Sequence, residues 1–171
     1  ADLGVHAARR ASPDVRTGPL PHGRTSDLVV LTDAVVPAPE VVAALVAEGT
    51  THLPVRVRDG IGIVGPLVVP GRSSCLRCAD LHRTALDPCW PTVAGQLAGR
   101  SQRADLTSAH GTAAVAAGQA LRALSPAPGP EPPPSWNATL ELDCYAGVVR
   151  RRHWPPHPHC ECGARDRPPR R

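Results

Sequence analysis

The sequence predicts an α/β fold whose C-terminal hairpin is stapled by a metal to the middle of the chain. Three observations carry that prediction. Leu28-Val29-Val30-Leu31, a helix opened by Pro37 and Pro39, and Leu53–Arg58 run strand, helix, strand, the pattern of a unit with a parallel sheet. An Ala-rich segment over 109–124 makes a helix whose small residues suit close packing on a sheet. Cys75-Leu-Arg-Cys78 and Cys160-Glu-Cys162 are two close thiol pairs separated by 81 residues. Four such thiolates can hold one tetrahedral Zn²⁺, and the long separation makes it a structural staple rather than a compact zinc finger. Gly163 frees the chain to turn beneath the ion. Unconnected thiols and a redox pair are the alternative readings of these cysteines.

The elements follow in order. Residues 1–11 read as a short helix ended by Ser12-Pro13-Asp14, and 14–27 as a polar loop. The apolar run 28–31, flanked by Asp27 and by Thr32-Asp33, reads as a buried parallel strand ending in a carboxylate. Val41, Val42, Leu45 and Val46 form the apolar face of the first helix, which Gly49 ends. Pro54 belongs at the start of the next strand, since it cannot donate to a ladder. Asp59-Gly60 is a turn, followed by strand 61–65 and a short strand at Leu67-Val68-Val69. Between 79 and 107 we expect a short helix, a break at Asp87-Pro88-Cys89-Trp90-Pro91, and a second helix over 92–99. Thr107-Ser108 caps the Ala-rich helix, with Val115, Ala116, Gln119, Ala120 and Leu124 as its packing stripe. The Pro-rich stretch 125–135 is a surface linker. Residues 138–144 and 148–152 alternate as a hairpin turning at Ala146-Gly147.

Composition narrows the classes. The chain has 171 residues, 42% of them hydrophobic, enough for one domain. Phe and Met are absent and only three Trp and one Tyr occur, so the core must be Val, Leu, Ile and Ala. All 19 basic residues are Arg, and the net charge is +4. Seven of those arginines sit in 150–152 and in the tail. With so few aromatics to stack bases, a solvated face and a basic tail explain them better than a nucleic-acid site. No apolar run reaches the roughly 18 residues of a membrane span, and no signal-peptide pattern opens the chain. Reduced thiols in a cytoplasmic protein are expected. We expect one domain over 1–163 and a disordered basic tail over 164–171. The chain does not begin with Met, which suggests that residue 1 is not the native start.

The run Val64-Gly-Pro-Leu-Val-Val-Pro-Gly-Arg-Ser-Ser-Cys-Leu-Arg-Cys78 resembles ThiF/MoeB-like, E1-like adenylating proteins. Cys78-Ala-Asp-Leu-His-Arg83, Asp87-Pro-Cys-Trp-Pro91, Thr139-Leu-Glu-Leu-Asp143 and Trp154-Pro-Pro-His-Pro-His-Cys-Glu-Cys162 are similar to the branch associated with azole-forming peptide cyclodehydratases. The resemblance covers roughly residues 1–163. It implies an incomplete Rossmann-like E1/ThiF fold, with the nucleotide-binding half outside this chain. The chain is read as lacking the glycine-rich phosphate loop, so ATP and Mg²⁺ would bind only in a complete protein. Cys75, Cys78, Cys160 and Cys162 match the family's zinc positions, although the second pair is Cys-x-Cys where Cys-x-x-Cys is usual.

Asp33, at the end of its strand, is the nucleotide and magnesium candidate. The family's following Asn is Ala34 here, and Asp33 as a mere turn cap is the competing reading. Arg56, Arg58 and Asp59 near a strand end are candidates for an ionic site, against simple solvated charge. His157 and His159 are runners-up as metal ligands. Cys89 sits where related activating enzymes can place a reactive cysteine but has no identifiable base, Cys144 reads as a small buried residue, and His82 and Arg83 read as surface or capping groups, with contact to a peptide or phosphate as the alternative. No catalytic residue is assigned. The resemblance implies an accessory protein of ribosomally made, post-translationally modified peptides, partnered by a precursor peptide, a YcaO-type cyclodehydratase or both. A homodimer is compatible with it. An adenylating enzyme completed by sequence outside this chain and a purely structural zinc domain are the alternatives.

Overall fold

The computed structural model describes residues 18, 26–32, 34–101, 103–125 and 131–164. The predicted helix over 1–11, almost all of the loop over 14–27, Asp33, and the tail beyond 164 fall outside them. Five strands form one sheet in the order β1 to β5: β1 (Val29–Leu31), β2 (His52–Arg58), β3 (Ile61–Val64), β4 (Ala138–Asp143) and β5 (Val148–His153). Helix α1 (Pro39–Ala47) joins β1 to β2, and α2 (Leu76–Leu86), α3 (Trp90–Leu97) and α4 (Leu106–Leu124) lie between β3 and β4.

Only the first pair is parallel, with Val29 opposite His52 and Leu31 opposite Pro54. That is the strand, helix, strand unit the sequence predicts. Pro54 sits third in β2 rather than first, where its carbonyl accepts from the Gly65 amide at 2.8 Å. The rest of the sheet is antiparallel, against the expectation of a parallel sheet. The cause is local. Asp59 and Gly60 both have positive φ, 53° and 79°, and a two-residue turn of that kind returns the chain antiparallel to itself. Val30 is 42% exposed, so β1 is half-covered rather than buried among the described residues.

The letters Gly-x-Gly-x-x-Gly of a phosphate loop do occur, at Gly60-Ile61-Gly62-Ile63-Val64-Gly65, against the expectation that the chain lacks such a loop. They build an antiparallel strand, not a loop between a strand and a helix, so they form no phosphate cradle. Each glycine has another reason. A Cβ at Gly62 would run into Thr112 of α4, and at Gly65, with φ 97°, it would meet the Ala138 carbonyl at 2.8 Å. The close approach of α4 to β3 depends on the first of these.

Helix α4 crosses one face of the sheet. Leu53, Val55, Val64, Leu67, Ala116 and Leu140 are the core between them. Fully burying Leu- or Val-sized side chains such as Leu53, Val64 and Leu67 contributes about 1.5–3 kcal/mol apiece. The helix starts earlier than predicted. Asp105 is the N-cap, its carboxylate accepting from the Ser108 amide at 2.9 Å. Ser108 instead lies buried at the third helical position and donates its hydroxyl to the Gly60 carbonyl at 3.0 Å. Val115, Ala116 and Ala120 pack as the predicted stripe requires, and Gln119 accepts from the Ser135 amide. Leu124 is 47% exposed and leaves the stripe. Helix α3 begins at Trp90, with Pro91 in its first turn, so the expected break is shorter than predicted. The opposite sheet face carries α2 and the C-terminal segment, and there the side-chain chemistry gathers.

Candidate metal centre

Cys75 is the extended N-cap of α2, and Cys78 lies in its first turn three residues on. That spacing brings both thiols to the same side of the helix. Ser73 holds the approach to them, donating its hydroxyl to the Leu67 carbonyl and accepting from the Val69 amide, both at 2.8 Å. The Ser74 amide donates to Asn137 Oδ1 at 2.7 Å, which ties the start of α2 to the start of β4. From the other direction, β5 ends at His153, and the Trp154 amide donates to the Asn137 carbonyl at 2.7 Å. Asn137 therefore braces both segments, with φ 50°. The Cys160 amide then donates to the His157 carbonyl at 3.0 Å, and Gly163 turns at φ 73°.

The result brings together the four cysteines that the sequence paired. Sγ of Cys75 lies 3.8 Å from Cys78 and 3.6 Å from Cys160, and Cys78 lies 3.6 Å from Cys162. All four sulfurs fall within 4.8 Å of one another. Disulfides would require about 2.05 Å. A tetrahedron of metal–thiolate bonds of about 2.3 Å has edges of about 3.8 Å, which matches these separations. Cys75 and Cys78 are buried against Val68, with Leu76, Cys160 and Cys162 packed around them.

The electrostatics agree with the geometry. The Cys75 thiol hydrogen-bonded to Cys78 lowers Cys78 to about 4, against the desolvation that opposes ionisation. Cys75 itself is pushed up, first by that hydrogen bond and then by burial. Cys160 is raised to about 11, chiefly by burial. Without a cation the cluster favours a thiolate at Cys78 and resists one at Cys75 and Cys160. A divalent ion is the partner that lets all four ionise. His157 and His159 stay outside the ligand set. Nδ1 of His157 accepts from the His159 amide at 3.1 Å, and the His157 ring packs edge-on against His82 at 4.7 Å.

Beside the metal centre, the same sheet face collects charge that the sequence left scattered. Arg56 and Arg58 alternate outward from β2, with Glu141 of β4 on the same side. Arg83 of α2 is held by Asp80 at 2.9 Å and lies between two indoles, 5.1 Å from the Trp90 ring and 4.5 Å from Trp154. Trp90 Nε1 also donates to Asp80 at 2.9 Å, and Trp154 Nε1 donates to Thr139 Oγ1 at 3.0 Å. Arg152 pairs with Glu141 at 2.9 Å. Arg58 reaches Asp59 only at 3.9 Å, both side chains being well exposed. Burial, then the charges of Arg83 and Arg58, lower the half-buried Arg56 guanidinium to about 10, while Asp80 and Glu141 oppose them. The sequence named Arg56, Arg58 and Asp59 for an ionic site but read Arg83 as a surface or capping group, whereas its tryptophan partners come from α3 and from beyond β5. Nothing local announces that contact.

The remaining thiols are separate. Cys89 is exposed, its amide donating to Asp87 Oδ1 at 2.9 Å. Cys144, half-buried, donates to the Thr107 carbonyl at 3.5 Å. Among the described residues no helix is long and apolar enough to cross a membrane.

No protein-family model matches the chain, and no curated protein matches its sequence. Solved structures do. A heterocyclase in complex with substrate and cofactor aligns over 96% of this chain with a TM-score of 0.68 and 17% identity. Escherichia coli MccB aligns over 82% with a TM-score of 0.58 and 18% identity. The Microcin C7 biosynthetic enzyme MccB in complex with N-formylated MccA gives 82%, 0.57 and 16%. The chain shares their fold. It spans 24% of the heterocyclase and 40–42% of the MccB chains.

Proposed function

We propose that this chain is part of an E1-like accessory protein in the biosynthesis of ribosomally made, modified peptides. It docks a precursor peptide, a YcaO-type cyclodehydratase, or both, and a structural Zn²⁺ on Cys75, Cys78, Cys160 and Cys162 holds its scaffold. The observation that carries this reading is the 96% coverage by a heterocyclase structure. In such a system the partner enzyme activates a peptide amide for attack by a Cys, Ser or Thr side chain. The accessory protein raises the local concentration of the peptide and aligns it. That task needs a recognition surface and no catalytic group. When bound, the zinc supplies structure, and the rest is done by side chains around it. Calorimetric titration with the leader peptide and, separately, with the cyclodehydratase tests the proposal. Heat with either supports it, and no heat with both overturns it.

A second reading has its own support, because MccB bound to ATP is among the matching structures, with a TM-score of 0.56. On that reading the complete protein adenylates a carboxylate, with Asp33 at the nucleotide and the phosphate loop outside these residues. Substrate-dependent pyrophosphate release by the full-length protein decides between the two.

A further inference from the structure

Arg56 is the odd charge on the sheet face described above. A half-buried arginine normally has a carboxylate on its fork. Arg83 has Asp80 and Arg152 has Glu141, each at 2.9 Å. Arg56 makes no hydrogen bond or ion pair with any described residue, and Arg58 has only its 3.9 Å contact. From every packed element, the charged groups facing Arg56 are Arg58 on its own strand, Arg83 and Asp80 on α2, and Glu141 on β4. Both acids are already taken. Guanidinium forks are thus concentrated in excess of carboxylates, on a rigid sheet, beside an edge strand whose Arg150 and Arg152 are exposed.

We infer that this face, centred on Arg56 and Arg58, binds a carboxylate of an acidic peptide segment. The chemistry of the face favours carboxylate over phosphate. The two satisfied forks here already hold carboxylates, and planar two-oxygen groups match guanidinium geometry. The backbone around Arg56 is strand, whose successive amides point to opposite edges, so it offers no nest of converging N–H groups for a phosphate. Contacts to the Trp90 and Trp154 rings and the bond to Asp80 hold Arg83, so its charge stands in place before the ligand arrives. The peptide as ligand source rests on the peptide-docking proposal above, whereas the anion site does not.

The test uses the full chain and a capped hexapeptide containing three glutamates, with its glutamine counterpart as the uncharged probe. Calorimetry at low salt should give binding of the glutamate peptide and none of the glutamine one, with affinity falling as salt rises. Arg56→Gln and Arg58→Gln should each weaken binding at least tenfold. Arg151→Gln, on the other sheet face, should leave it unchanged. Arg58 is exposed, so its variant stays folded even if Arg56→Gln does not, and thermal melts of both confirm which were tested. Unchanged binding in folded Arg58→Gln, or equal binding of the glutamine peptide, overturns the proposal. Displacement of the peptide by inorganic phosphate at equal concentration overturns the choice of carboxylate. Loss of the docking reading, with no heat from leader or cyclodehydratase, would leave these hexapeptide titrations standing.

Discussion

Replacing Cys160 with Ser should remove the metal and take away most of what the staple contributes. The structure sets the size of that effect. Cys75 and Cys160 are 85 residues apart in sequence and 3.6 Å apart at their sulfurs. A cross-link that closes a loop of that length lowers the entropy of the unfolded chain by an amount worth about 4.6 kcal/mol, on the chain-entropy relation used for disulfides. Net stabilities of domains are about 5–15 kcal/mol, so this one ligand accounts for a large share. Serine keeps the shape but is a poor zinc ligand, because its hydroxyl does not ionise as a thiol does. The assay is metal content by elemental analysis together with urea melts of wild type, Cys160→Ser, Cys78→Ser and Cys144→Ser. The first two variants should carry less than one equivalent of metal and lose about 4–5 kcal/mol each. Cys144→Ser should keep the metal, since Cys144 bonds only to the Thr107 carbonyl. A full equivalent of zinc and an unshifted midpoint in both Cys160→Ser and Cys78→Ser would falsify the four-cysteine assignment.

Three further outcomes are expected. Gly62→Ala places a methyl against Thr112 and should cost about 1–3 kcal/mol, read as a shift in the urea midpoint. Asp105→Ala removes the cap on α4 and should speed hydrogen exchange at the Ser108 amide and lower the melting temperature, since that amide loses its acceptor. Stability should fall as pH drops below about 6.5, the unfolded pKa of histidine. Burial holds the His52 pKa below that value, so the unfolded chain takes up a proton that the folded chain resists. The proton on Nδ1 is spent on the Thr50 carbonyl at 2.9 Å, and Nε2 is buried with no partner among the described residues. His52→Asn should flatten that acid slope in pH-dependent melts, and an unchanged slope would assign it to other groups.

What the sequence made legible divides by range. The cysteine spacing foretold that these four thiols would meet, because closely paired thiols are a local signal that four residues state outright. The strand at 29–31, helix 39–47 and strand 52–58 were legible because each carries a local apolar pattern, a continuous run in the first and a period in the others. The pairing of β3 with β4 was not, because it joins residues 61–64 to residues 140–143 across three helices. The cap of α4 was missed by two residues, although Asp105 three before Ser108 was a visible signal. The glycine string at 60–65 shows why a pattern needs its context. Its glycines answer a turn, a helix and a carbonyl, and none of these is named by the string.

The metal centre and the arginine face are two consequences of one chain path. β5 ends at His153, and the chain then passes Trp154 across the sheet to reach Cys160 and Cys162. Trp154 is buried on that route, stacked on Arg83 and bonded to Thr139. Helix α2 begins at the first metal pair and carries Asp80 and Arg83 one to two turns later. Fixing the four sulfurs therefore fixes the start of α2 and the end of the Trp154 segment at once. Arg83 is held between those two segments, and its position decides how much positive charge Arg56 meets. A metal held by the four sulfurs would thus set the electrostatics of the face proposed to bind a peptide carboxylate.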